Sequence, residues 1–213
     1  MDNYTQNYFK VVQNPLPQLK ESFNHELIFL KSLVNKDFRV VDFGCGIGRP
    51  TRDLSLFVKE IFAFDNDDVV LERAKEYCNG KNNIFIESRD ALNTNYLDNS
   101  FDLAYATYNL IGCIDKDERL SLIKEMARVA KVGSKIINVT WLDNQVTTNF
   151  LKECYPAIGV DVISISDNEI VTSKGVIGRI SKKELMEYYR QCNLKNVEFK
   201  DLGSVWLAAI AEK

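Results

Sequence analysis

A doubly wound α/β fold is predicted for this 213-residue chain by three observations. Short apolar runs alternate with segments of helical period, the pattern of a parallel sheet with helices on both faces. The first clear run, Val40-Val41, ends in Asp42 and three glycines spaced two apart, Gly44, Gly46 and Gly48, just before a helix begins. The last two runs, Val197–Lys200 and Val205–Ala211, are parted only by Asp201–Ser204, so the sheet closes on an antiparallel hairpin. At this length one domain with a substantial core is expected.

Residues 1–17 have no clear period. Tyr4, Tyr8 and Phe9 are aromatic, and Pro15 and Pro17 interrupt any helix. A surface arm and a lid whose aromatics cover a ligand are both open readings. Residues 18–34 carry Leu19, Phe23, Leu27, Leu30 and Leu33 at helical spacing, together with His25, the only histidine. Phe38 to Thr51 reads FRVVDFGCGIGRPT: strand, glycine turn, helix start, continuing through Leu54, Phe57 and Val58. Glycines permit positive φ and close approach of a ligand to the main chain, and the free amides at the helix start face that ligand.

Ile61 to Phe64 form a second strand ending at Asp65, and Asp67 is placed to cap a helix through Val69, Val70, Leu71, Ala74 and Tyr77. An acid about 20 positions past the glycine loop, at a strand's tip, suits a pair of ribose hydroxyls. A third strand, Ile84 to Ile86, runs into Ser88-Arg89-Asp90-Ala91. The fourth, Phe101 to Ala106, is followed by Thr107-Tyr108-Asn109, the segment that faces a reacting centre in open α/β sheets. Asp115 with Glu118 reads as a capping box for a helix through Leu120, Ile123, Met126 and Ala130, with Gly133 as terminator. Lys135 to Trp141 is the fifth strand. Residues 142–180 are less regular, with Val160–Ile165 and Ile170–Ile180 expected to pair around Asp167-Asn168. Ser181 with Glu184 is a second capping box, opening a helix to Gln191.

The glycine spacing excludes a dinucleotide fingerprint, which needs a third glycine at the sixth position, and a P-loop, which needs Gly-Lys-Ser/Thr. The stretch resembles the D-x-G-x-G-x-G loop of the class I S-adenosylmethionine-dependent methyltransferases. Arg128–Ser134, RVAKVGS, is similar to that family's helix-end signature R-V-L-K-P-G-G, with the proline and last glycine replaced. The resemblance covers about residues 36–141 by motif and 181–213 by pattern. It implies a Rossmann-like, seven-stranded mixed sheet, with S-adenosylmethionine across the carboxyl ends of the first, second and fourth strands. It further implies Gly44, Gly46 and Thr107 near the methionine end, Asp42 holding the loop and reaching the methionine amino group directly or through water, Asp65 at the ribose, Asp90 and Ala91 at the adenine, and Cys45 and Asn66 among the cofactor-binding residues. Tyr108, Asn109, His25 and Tyr8 are the candidate catalytic groups. Residues 1–34 form an arm and helix on the lid side, and 35–213 the cofactor domain, with 142–180 an insertion contributing to the substrate pocket.

A net charge of −3 with scattered lysines and arginines argues against a large nucleic-acid surface. A small-molecule N or O acceptor is the leading expectation. An RNA or protein methyltransferase, or a non-catalytic module that binds the cofactor, is the alternative. The Asp/Asn/Ser-Pro-Pro-Tyr/Phe motif of amino-methylating DNA enzymes and the Pro-Cys of carbon-5 pyrimidine enzymes are absent. Asp143-Asn144 resembles part of a metal-dependent O-methyltransferase site, but the earlier acid after the fourth strand is missing, so no metal is expected. The five cysteines include no C-x-x-C, which favours reduced thiols and a cytoplasmic protein. The start is polar and no apolar run has membrane-spanning length, so neither a signal peptide nor a membrane span is expected.

Overall fold

The computed structural model describes residues 9–213. Residues 9–13 are helical and bury Phe9, Val11 and Val12. They lead into α1 (Pro17–Lys31). Then follow β1 (Arg39–Phe43), α2 (Arg49–Leu54), β2 (Glu60–Asp65), α3 (Asp68–Tyr77), β3 (Ile84–Ser88) and β4 (Phe101–Ala106). The second half comprises α4 (Leu110–Cys113), α5 (Arg119–Val129), β5 (Ala130–Trp141), α6 (Gln145–Ala157), β6 (Val162–Ile165), β7 (Glu169–Thr172) and β8 (Gly175–Gly178). It ends with α7 (Lys182–Gln191), β9 (Lys195–Leu202) and β10 (Trp206–Glu212).

Seven strands form one mixed sheet in the order β3-β2-β1-β4-β5-β10-β9. The first five run parallel, and β10 lies antiparallel between β5 and β9. This is the mixed sheet and terminal hairpin expected from the sequence. Strand order reverses between β1 and β4, and ligand sites of open α/β sheets sit at that crevice, outside the strands' carboxyl ends.

Period-two alternation divides the core. Val40, Leu103, Tyr105, Ile137, Val139 and Ala208 pack on one face with Leu19, Phe23 and Leu30 of α1 and Phe150 and Leu151 of α6. Val41, Phe43, Ala104, Ala106, Ile136 and Ala209 pack on the other with Leu122, Ile123 and Met126 of α5 and Leu185 and Tyr189 of α7. Both faces of β1 are therefore covered, and Asp42 is drawn in with them, 0% exposed.

Several local expectations differ from what the chain adopts. Pro17 does not interrupt a helix; it opens α1, where a missing N–H costs nothing. Asp115 and Glu118 form no capping box. A 3-10 turn over Lys116–Glu118 intervenes, with no side-chain cap on it or on α5. Gly133 terminates no helix. α5 stops at Val129 and β5 begins at once, with Gly133 inside it at φ +80° and its amide donating to the Lys213 carbonyl. Residues 145–157 form a full helix capped by Asn144, whose side chain accepts from the Thr147 amide. The expected hairpin over 160–180 is a three-stranded antiparallel meander, because the chain turns again between Thr172 and Gly175.

The Ser181 box does form: its hydroxyl accepts from the Glu184 amide while the Glu184 carboxylate accepts from the Ser181 amide. Ser181→Ala removes that cap. The expected loss is about 1 kcal/mol of folding stability, read as a lower urea midpoint at unchanged slope.

Candidate functional site

A cavity of about 310 Å3 opens at the carboxyl ends of the parallel strands. Its floor is Gly44 and Gly46, its near edge Asp65, Asn66, Asp67 and Val70, and its centre Thr107, Tyr108 and Asn109. The floor depends on backbone shape: Gly44, Gly46 and Gly48 have φ of +63°, +54° and +76°, a region that side chains disfavour. Asp65 fixes the loop from the neighbouring strand. Its Oδ2 accepts from the Gly46 amide at 3.0 Å, and its Oδ1 from the amides of Asn66 at 2.9 Å and Asp67 at 3.2 Å. A carboxylate offers about four lone-pair sites, so one is left toward the cavity. Burial raises the Asp65 pKa, against the lowering effect of those three amides. Asp67 caps α3 by accepting from Val69 and Val70.

Beyond β4 the chain makes a strained turn, with Tyr108 and Asn109 at φ +53° and +61°. Tyr108 packs among Phe23, Trp141 and Trp206, its ring centre 5.8, 6.1 and 5.3 Å from theirs. Asn109 is 1% exposed, accepts from the Thr140 hydroxyl and donates to the Gly178 carbonyl at 3.3 Å. Its side chain is thus committed to joining β4, β5 and β8. The approach is close enough that a Cβ on Gly112 would lie 2.4 Å from the Gly178 carbonyl oxygen.

The far wall comes from residues the sequence reading did not single out. They are Leu110 and Cys113 of α4, Trp141 at the tip of β5, Cys154 and Tyr155 of α6 with Ile158 just beyond it, and Ile177 of β8. Trp141 is stacked on Trp206 at 4.1 Å between ring centres. The α6 wall had a visible signal: Phe150, Leu151, Cys154, Tyr155 and Ile158 repeat at helical spacing.

Gly44, Gly46, Asp65, Asn66 and Thr107 are thus brought together, with Tyr108 and Asn109 beside them. Other expected residues stand outside this cavity. Asp42 does not reach the cavity. It accepts from the Thr51 hydroxyl beneath the loop, and burial pushes its carboxyl up to about 7. Cys45 lines a small neighbouring hollow with Gly44, Gly46, Thr107 and Tyr108 rather than this cavity, its amide donating to the Phe64 carbonyl at 2.8 Å. Asp90 is exposed and accepts from the Leu92 amide at 2.8 Å, and neither it nor Ala91 lines the cavity. His25 is on the outer side of α1, in a separate hollow with Lys200 and Asp201. Tyr8 and Tyr4 lie outside the described residues.

Under the loop, Glu26 of α1, 0% exposed, meets the Arg49 guanidinium at 2.6 Å, and that guanidinium lies 3.7 Å from the centre of the Phe23 ring. Burial raises the Glu26 pKa and Arg49 opposes the rise. Among the described residues no His, Cys, Asp and Glu cluster of metal-binding size occurs, and no helix is long and apolar enough to cross a membrane.

Residues 40–133 match the model of a methyltransferase domain family. Sterol 24-C-methyltransferase of Aspergillus fumigatus is 28% identical over 113 residues, covering 51% of this chain and 29% of that protein. Demethylmenaquinone methyltransferase of Staphylococcus saprophyticus is 26% identical over 178 residues, 78% of this chain and 74% of that one. The chain therefore spans under a third of the sterol enzyme and about three quarters of the quinone enzyme. An S-adenosylmethionine-dependent methyltransferase structure from Methanosarcina mazei superposes with a TM-score of 0.68 at 20% identity, covering 87% of this chain and 96% of that chain, which is a likeness of fold.

The buried Asp42 carboxyl has a consequence for stability. Unfolded, it titrates near its ordinary 3.8; folded, near 7. Between those values the native chain holds a proton that the unfolded chain has released, so stability falls as pH rises through the window. Urea titrations at pH 5 and pH 7.5 should record the part of this loss that falls between them, with Asp42 contributing roughly 2.5 kcal/mol. Asp42→Asn should reduce the difference between the two pH values.

Proposed function

We propose that this chain, whose residues 40–133 match a methyltransferase domain model, is an S-adenosylmethionine-dependent methyltransferase that transfers the cofactor's methyl group to a small-molecule acceptor. The observation that carries this reading is the cavity at the tips of β1, β2 and β4, floored by bare main chain and edged by the Asp65 carboxylate. That lining fits the cofactor. Gly44 holds φ +63°, which would strain any side chain, so the floor stays bare main chain. The remaining acceptor site on Asp65 suits one hydroxyl of a ribose.

In this reading Asp65 and Asn66 hold the ribose hydroxyls, and Gly44, Gly46 and Thr107 the methionine end. Val70 and Leu110 offer apolar sides to the base. Asp42 acts from beneath, holding Thr51 and hence the start of α2. S-adenosylmethionine, when bound, supplies a sulfonium methyl that an acceptor lone pair displaces in line, so alignment supplies much of the rate, roughly 7–11 kcal/mol in favourable cases. The rings of Trp141 and Tyr155 stabilise a nearby cation and keep water away. Residues 142–180, which contribute Cys154, Tyr155, Ile158 and Ile177, form the acceptor side of the pocket. Residues 9–34 belong to the cover, with α1 joined to the loop through Glu26 and Arg49. The sterol and demethylmenaquinone enzymes, by their names, act on small molecules, which supports the choice of acceptor.

Calorimetry with S-adenosylhomocysteine tests the site. Asp65→Ala should weaken binding by roughly 1.5–3 kcal/mol, about ten- to more than a hundred-fold, the range for hydrogen bonds to a charged group. Asp65→Asn should lose less, since it keeps one acceptor for the loop amides. His25→Ala should bind like the parent chain. Unchanged affinity in both Asp65 variants would remove that carboxylate from the cofactor site.

A further inference from the structure

We infer that Arg49, at the start of α2, is the side chain that binds the carboxylate of the cofactor's methionine end. The inference rests on the cofactor reading above and gives the far end of that ligand a partner outside the glycine turn.

A second hollow, of about 20 Å3, adjoins the main cavity. The two share Gly44, Gly46, Thr107 and Tyr108, and the hollow adds Val12, Cys45, Ile47, Arg49 and Pro50. A ligand fastened at Asp65 and lying over Gly46 and Gly44 therefore reaches this hollow with its other end. A water needs roughly 10–15 Å3 of such space, so a group of two or three heavy atoms enters and a ring does not. Size alone thus selects a small terminal group. Charge narrows the choice, because Arg49 is the one charged side chain among the described residues around the hollow.

The guanidinium is already held in place. Its Nη2 donates to Glu26 Oε1 at 2.6 Å, and its carbon lies 3.7 Å from the centre of the Phe23 ring. The Glu26 side chain is fully buried and that of Arg49 is 16% exposed, so the pair is largely shielded from water. A guanidinium has five N–H donors, and the bond to Glu26 is the one hydrogen bond this side chain makes among the described residues. Donors remain for a second carboxylate, in the planar fork that suits one. Charge balance is kept as well. The methionine end carries an ammonium beside its carboxylate, so the zwitterion adds no net charge to the Glu26–Arg49 pair, whereas a lone anion would be taken from water beside the buried Glu26.

The assignment carries the binding site beyond the sheet. Glu26 and Phe23 belong to α1 and Val12 to residues 9–13, so the cover helps to build the end of the site where the carboxylate lies. The Phe23 ring is also 5.8 Å from that of Tyr108, which places Arg49, Phe23 and the centre of the main cavity in one packed group.

The test compares two ligands by calorimetry on the full chain: S-adenosylhomocysteine, and its decarboxylated analogue, which keeps the nucleoside, the thioether and the amino group. The parent chain should bind S-adenosylhomocysteine at least about ten-fold more tightly, the low end for hydrogen bonds to a charged group. Arg49→Met keeps an unbranched stem against Phe23 and should cut that preference to about two-fold or less, by weakening S-adenosylhomocysteine while leaving the analogue unchanged. Should the unpaired Glu26 keep this variant from folding, Glu26→Leu combined with Arg49→Met removes both charges and should give the same result. A pair that only fastens α1 to α2 would instead weaken both ligands alike. That outcome, equal binding of the two ligands by the parent chain, or survival of the parent's preference in a folded chain without Arg49 would overturn the inference. Failure of the parent chain to bind either ligand would overturn the cofactor reading itself.

Discussion

The bond from the Gly46 amide to the Asp65 carboxylate spans the tips of two parallel strands, and the shape of the cavity follows from it. A parallel sheet leaves its strand ends ragged, with successive loops free to splay. Here the loop after β1 is coiled into a left-handed path at Gly44, Gly46 and Gly48, and that path needs an external anchor. Asp65 supplies it on one side, and the Cys45 amide bonded to the Phe64 carbonyl supplies a second tie to the same strand. The edge and floor of the cavity are therefore one hydrogen-bonded unit.

That unit sits on buried charge. β1 is covered on both faces, so Asp42 has no route to solvent, and burial rather than any partner dominates its titration. The Glu26–Arg49 pair brings a second carboxylate to the same region from α1. Burying ion pairs seldom adds net stability, because desolvation offsets the attraction. Their effect here is geometric. Thr51 and Arg49 both belong to α2, so one carboxylate from the sheet and one from α1 fix the helix whose first residues follow the glycine turn.

The parts legible in the sequence were those whose cause is local. Three glycines, an acid at a strand tip, Asp67 before a helix and Ser181 with Glu184 each act within a few residues. The misreadings came from distant partners. Gly133 resembles a helix terminator until the chain's last residue pairs with it and draws it into β5. α6 was hidden because Val146, Thr147 and Thr148 are β-branched and weak helix formers, although Phe150 through Ile158 carry the period. Trp141 was read only as the end of a strand; its place in the wall depends on Trp206, far along the chain.

Asn109 has a further role as a rivet. Its amide clamps the crossover from β5 and the last strand of the meander onto the left-handed turn after β4. The meander is consequently not an ornament that evolution could trim or exchange at will. Lineages that remodel this flap must either keep its tail bonded to Asn109 or rebuild the bend at the centre of the cavity. Diversification should therefore concentrate at the outer turns, around Asp167 and Lys174, and spare the glycine that lies against Arg119.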